Sequence, residues 1–176
     1  MRLRARVIIP SCGVLIFLAI LFAPILLAAS WHLLHGNSVE CAGRSLSVPL
    51  RWYAKTEGKT AYISKLSPTV LSKTPASGLI SLWPVEFPPK TQADKELAYQ
   101  SFASVYWTQL AGGAGETNGP FRRGIGERET VCMETSVVKD KWISVSCLVF
   151  RGTWYGTFYG DPKELGPFYR IIDNSK

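Results

Sequence analysis

Residues 7–29 pass without a single charged side chain, a run of about 23 residues. As a helix rising about 1.5 Å per residue it reaches about 34 Å, against a bilayer hydrocarbon core of about 30 Å. A run of this kind near the start of a chain decides where the remainder can fold. Arg2, Arg4 and Arg6 precede it with no acidic residue among them, which by the positive-inside tendency keeps the N-terminus in the cytoplasm. The expected division is a membrane anchor or signal peptide over residues 1–30, a juxtamembrane segment over 31–37 and an exported domain over 38–176.

Two fates are open to the leader. A signal peptide needs a basic start, an apolar centre and a small-residue cleavage site. Residues 14–23 supply the centre, Pro24 a helix break, and Ala28, Ala29 and Ser30 a site for cutting before Trp31. Against cleavage, Ile25, Leu26 and Leu27 continue the apolar run past Pro24, and Trp31 suits a membrane–water interface. The favoured expectation is a single-pass anchor with an extracytoplasmic C-terminal domain, and the alternative is a secreted or periplasmic product. Cys12 lies near the cytoplasmic end of the run and reads as a small apolar filler.

Without the three leader arginines the excess of basic over acidic residues falls from seven to four. Those basic residues are spread along the chain, not gathered on one face between aromatics, so no nucleic-acid partner is expected. His32 and His35 are the only histidines. A pair at i and i+3 shares a helix face, yet no Cys, Asp or Glu stands at ligand spacing beside it, so neither a metal nor a cofactor is expected.

The exported part reads as strands, one long helix, a meander and a short helix. Residues 38–50 suggest a hairpin turning at 42–45, and residues 51–53 and 61–66 two further strands around a turn at 57–59. Residues 78–87 form another, whose Pro84 cannot donate to a ladder and so places that half at a sheet edge. Thr91 and Asp94 form a capping box for a helix over 95–110, with Leu97, Ala98, Phe102, Val105, Tyr106 and Leu110 as its apolar stripe. Residues 111–120 read as a glycine-rich linker, lacking the Gly-Lys-Ser/Thr of a phosphate loop.

Residues 129–138, 142–150 and 153–159 form the meander. A turn at Arg151 and Gly152 sets Val149 against Trp154, Cys147 against Gly156 and Val145 against Phe158, with Gly156 leaving room for the Cys147 side chain. A last helix starts after Asp161, or is delayed by Gly166 and Pro167 to 168–172.

Export favours pairing of cysteines, and Cys41, Cys132 and Cys147 lie beyond the leader. A turn centred on Lys139 and Asp140 places Cys132 across from Cys147. A three-residue loop instead sets Val131, Met133, Thr135 and Val137 toward the buried face and turns Cys132 away, unless a bulge near Cys132 meets both demands. Cys132–Cys147 is the favoured bridge, with Cys41 a competing partner for either.

This order of elements, together with Val48-Pro49-Leu50-Arg51-Trp52, resembles the small α+β domains of the PsbP/Mog1-like class over residues 38–174. Arg51 stands where a glycine is usual in that class. The resemblance implies an antiparallel sheet packed against one long and one short helix, used mostly as a non-catalytic adaptor or assembly module.

Three function classes remain. The first is a membrane-tethered module for protein binding or envelope assembly, with its partner surface in the loops of residues 112–128, where Phe121, Arg122, Arg123 and Arg128 offer an aromatic and guanidinium groups beside flexible glycines. The second is a small-ligand or lipid-binding domain with a cleft lined by Trp52, Trp83, Trp107, Trp142 and Trp154. The third is a hydrolase using paired carboxylates among Glu127, Glu129 and Glu134. No histidine lies within the exported domain proper to serve a catalytic triad, so no catalytic residue is assigned.

Overall fold

The computed structural model describes residues 3–74, 76–110, 116–124, 129–137 and 141–175. Two N-terminal helices, α1 (Leu3–Leu21) and α2 (Ala23–His35), precede a small hairpin of β1 (Ser38–Cys41) and β2 (Arg44–Ser47). Seven further strands follow: β3 (Tyr53–Glu57), β4 (Thr60–Leu66), β5 (Ala76–Pro84), β6 (Thr117–Arg123), β7 (Thr130–Val137), β8 (Trp142–Val149) and β9 (Trp154–Gly160). Helix α3 (Gln92–Leu110) lies between β5 and β6, and a 3-10 turn (Pro162–Glu164) leads into α4 (Leu165–Asn174). The seven strands form one sheet in the order β3-β4-β5-β9-β8-β7-β6, antiparallel throughout. The α+β class is therefore as expected.

Both faces of this sheet are covered, which the sequence pattern did not reveal. On one face Ala61, Ile63, Ile80, Leu82, Val145, Cys147 and Phe158 pack with Leu46 and Val48 of the hairpin segment, Trp52, and Phe168, Ile171 and Ile172 of α4. On the other, Tyr99 and Phe102 of α3 cover Val131, Met133 and Leu148. This second core resolves the conflict over Cys132. Val131 and Met133 are buried under α3, so Cys132 can point to the opposite face and meet Cys147 directly, in the register of a turn centred on Lys139 and Asp140. The disulfide Cys132–Cys147 is formed, with Cα atoms 4.1 Å apart, and Cys41 is a buried free thiol. Burial pushes that thiol above its ordinary pKa. No bulge interrupts β7 against β8; the irregularity lies on β6, between Asn118 and Phe121.

The meander has the expected register, Val149 with Trp154, Cys147 with Gly156 and Val145 with Phe158. The space at Gly156 serves other neighbours, since a Cβ there would lie 2.9 Å from Leu82 and 3.5 Å from the Phe168 ring. Pro84 ends β5 opposite Trp154, and β5 is a central strand, not an edge, because the proline falls where the ladder is already finishing. Residues 117–120, read as linker, belong to β6; residues 111–115 lie outside the described residues. Helix α4 begins before Gly166 and Pro167, because a proline in the first turn has no hydrogen bond to lose.

The capping box at α3 is present: the Asp94 N–H donates to Thr91 Oγ1 at 3.1 Å and the Thr91 N–H to the Asp94 carboxylate at 2.9 Å. Those bonds from Thr91 hold the Asp94 carboxyl below its usual pKa. The apolar stripe is rotated from the expected one. Leu97 and Val105 are exposed, while Lys95, Tyr99 and Phe102 are buried. Spaced i, i+4, i+7, these three present an aromatic face to the sheet, with the Lys95 ammonium neutralised by Glu129.

The apolar N-terminal segment is bent. Among the described residues no single helix is long and apolar enough to cross a membrane; 12–21 and 23–35 reach that length and composition only as a pair bent by 77°. The break falls at Phe22, where Pro24 enters the first turn of α2. A proline there lacks an N–H, and its ring excludes the carbonyl of Ile20 from a continuous helix.

Candidate functional site

The expected partner residues lie on a strand, not in a loop. Phe121, Arg122 and Arg123 are on β6, at the edge of the sheet, and Arg128 lies outside the described residues. By alternation Phe121 faces the larger core and packs against it. Arg122 faces α3, donating to the Glu96 carboxylate at 2.7 and 2.8 Å and to Glu129 at 3.2 Å, with its guanidinium 5.3 Å from the Tyr99 ring. The Arg122 hydrogen bond holds the Glu96 carboxyl below its ordinary range. Arg123 faces α4, donating to Asp173 at 3.3 Å and stacking 3.8 Å over Tyr169. All three thus tie the edge strand to the two helices. Replacing them together by Ala should lower the thermal midpoint measurably, mainly through Phe121, since exposed ion pairs contribute about 0–1 kcal/mol each; an unchanged melting curve would show these contacts to be idle.

The two described carboxylate candidates, Glu129 and Glu134, do not come together. Glu129 turns to Lys95 of α3 and to Arg122. Glu134 accepts a hydrogen bond from the Tyr169 hydroxyl of α4 at 2.5 Å, on the opposite face of the sheet. Burial, with Glu134 second, pushes the Tyr169 hydroxyl well above its ordinary pKa. Glu127 lies outside the described residues. The tryptophans also disperse: Trp154 is in the core, Trp83 meets Tyr155, Trp142 meets Tyr159, and the Trp107 side chain is outside the described residues. Trp52 alone of the described four lines a cleft of about 560 Å³, with Val48, Pro49, Leu50, the ion pair Lys65–Glu164 and Arg170 around it.

What the structure does assemble is a surface around α2. Ala28 is buried and Trp31 packs on the larger core, so Leu21, Pro24, Ala28, Trp31 and His32 make the inward stripe at helical spacing. His32 Nε2 lies 3.2 Å from the Pro49 carbonyl, and the Val70 N–H donates to the Leu21 carbonyl at 3.2 Å. These contacts set Leu50 beside the C-terminal half of α2, and Val70 and Leu71 beside its start. The outward face carries Phe22, Leu26, Leu27, Leu33 and Leu34, all exposed, with Leu33 at 87% and Leu34 at 81%. Leu50 and Leu71 add 75% and 76%. His35 stacks on the Trp31 ring at 4.9 Å, and among the described residues no three His, Cys, Asp or Glu side chains gather as a metal site.

The apolar pattern reads as a membrane anchor or signal peptide with a helix break available at Pro24, and it does not show the docking of α2 on the domain. The signal was present in the small and flat residues Pro24, Ala28 and Trp31 recurring every three to four positions, but an all-apolar helix hides which of its apolar faces meets protein. No protein-family model matches this chain, and no curated protein matches it.

Proposed function

We propose that the chain is a membrane-tethered extracytoplasmic module, held against the bilayer by the outward face of α2, which serves in protein binding or envelope assembly and not in catalysis. One observation carries this reading: an apolar helix face, flanked at both ends by exposed leucines, follows directly from an equally apolar α1 whose Val14, Leu15, Ile16 and Phe17 are each about 60% exposed. A continuous patch of this size is not a surface that water tolerates. Burying an exposed leucine is worth about 2 kcal/mol, so five or six such residues outweigh the weak attraction that a dispersed excess of four positive charges gives toward anionic headgroups. In this reading the bent pair enters the bilayer together from the arginine-rich cytoplasmic end, α1 running through most of the hydrocarbon and α2, beyond the bend at Phe22, completing the passage obliquely at the exit-side boundary with the folded domain above it. The PsbP/Mog1-like resemblance supports the non-catalytic role, as analogy.

Alkaline phosphatase fused after Lys176 should be active, and a silent but stable fusion would sink the topology. Single cysteines at Leu26 and Leu33, in a Cys12→Ser background, should react slowly with a membrane-impermeant maleimide in proteoliposomes and quickly once detergent is added. Equal rates would show that α2 does not meet lipid. A second reading, binding of a small ligand, is favoured only by the cleft over Trp52.

A further inference from the structure

We infer that the pocket enclosed by the β8–β9 turn, the segment leading into α3 and the first residue of β2 binds a small soluble phosphate anion. It has a volume of about 330 Å³ and is walled by Arg44, Lys90, Lys95 and Arg151 together with Phe150 and Thr153. Four cations from three separate parts of the chain converge here, and the fold builds the wall with specific contacts. Gly152, at φ 81°, has the Pro89 ring only 3.1 Å from where a Cβ would stand. The Val85 N–H donates to the Thr153 carbonyl at 2.8 Å. These two contacts hold the segment carrying Lys90 against the turn carrying Arg151.

The turn itself is costly to make. Phe150 and Arg151 both sit in the left-handed region, at φ 51° and 59°, where a residue other than glycine loses about 1–2 kcal/mol. That conformation keeps Phe150 buried beneath the Arg44 guanidinium, 4.0 Å from the ring centroid, while Arg151 stays exposed at the pocket's rim. Of the four cations Lys95 already has its counter-ion, and the acidic groups nearby are engaged. Glu129 neutralises Lys95 and accepts from Arg122, and Asp94 caps α3. Lys90 and Arg151 have no ion-pair partner among the described residues. Lysine point charges beside the planar donor forks of arginine are the groups that recognise phosphate oxygens.

A soluble anion fits better than a lipid headgroup. Arg44 follows the turn that ends β1, and β1 runs four residues away from α2, about 13 Å at about 3.3 Å per residue. Arg44 thus stands a strand's length from the end of the helix proposed to meet the bilayer, and the pocket's occupancy stands or falls separately from that reading.

Titration calorimetry on the full-length protein in detergent, with pyrophosphate as the probe at constant ionic strength, tests the site. The expected result is saturable one-site binding, weakened about tenfold or more in the double variant Lys90→Gln, Arg151→Asn. Asn accepts the left-handed backbone, and both positions are exposed, so the unliganded melting curve should not move. Gly152→Ala, which displaces Pro89, should weaken binding with both charges in place. Absence of saturable heat, equal affinity in wild type and double variant, equal affinity for citrate, or displacement of pyrophosphate by nanodiscs of anionic lipid would each overturn the assignment.

Discussion

Replacing Cys132 and Cys147 together by Ala should lower the thermal midpoint of the folded domain by about 10 °C. The bridge closes a loop between residues 15 apart in sequence, for which the chain-entropy account gives about 3 kcal/mol. In a domain of this size each kcal/mol moves the midpoint by about 3 °C. Both sulfurs lie in the larger core at zero exposure, so the native bond should resist mild reductant until the protein unfolds. Calorimetry of wild type with and without reductant, beside the double variant, measures the effect. Peptide mapping without reduction should show Cys132 joined to Cys147 and Cys41 unpaired. Free thiols at both Cys132 and Cys147 in the purified, unreduced protein, or a midpoint unmoved by the double substitution, would remove the bridge from the account of stability.

The bridge also marks where sequence reasoning succeeded and where it ran out. Register in the meander was legible because alternation and turn position act on the same few residues, and a one-residue slip would have set Phe158 against Ser144 or Ser146. The choice between Cys132 facing in or out was not legible, because only one side of β7 reads as apolar, Val131 and Met133, and that side turns to α3, while Cys132 and Glu134 turn to α4 on a second buried face. Only the position of α3 across the sheet decides it, and a helix more than twenty residues upstream leaves no trace in the strand's own periodicity. The same ignorance of what lies opposite misassigned the α3 stripe, where Leu97 is exposed and Lys95 is buried on Glu129.

The candidate surfaces were legible in unequal measure. Phe121, Arg122 and Arg123 attracted notice as anchors for an outside partner, and their chemistry is used inside the fold, one guanidinium for each helix. The glycines around them suggested a loop because composition cannot distinguish a flexible linker from an edge strand that carries a bulge. The basic pocket escaped notice altogether. Arg44, Lys90 and Arg151 are far apart in sequence, and two of them are brought together by Gly152, which admits the Pro89 ring, and by the Val85–Thr153 backbone bond. Arg51 shows the reverse case: its φ of 70° is a backbone state that favours glycine, at the position where the resemblance led one to expect glycine.

The largest single-residue effect should come from Trp52. The Pro49 carbonyl accepts a bond from the Trp52 N–H at 3.0 Å, a tight turn that drives the indole into the larger core, where it is 1% exposed. Its ring lies on Gly78 of β5, with Cη2 only 2.7 Å from where a Cβ on that glycine would stand and the Phe158 ring 3.3 Å away. Trp52→Ala removes the whole ring from between the sheet and the cleft floor, and should cost about 4 kcal/mol, the range for large aromatic truncations in a core. Gly78→Ala should cost about 1–3 kcal/mol by overpacking the same contact from the other side. If the ring and the missing Cβ share one space, the two effects must couple: in a Trp52→Phe background Gly78→Ala should cost at least about 0.5 kcal/mol less than in wild type. Denaturant titrations of the four proteins measure the cycle, and strictly additive costs would show that the indole does not rest on Gly78.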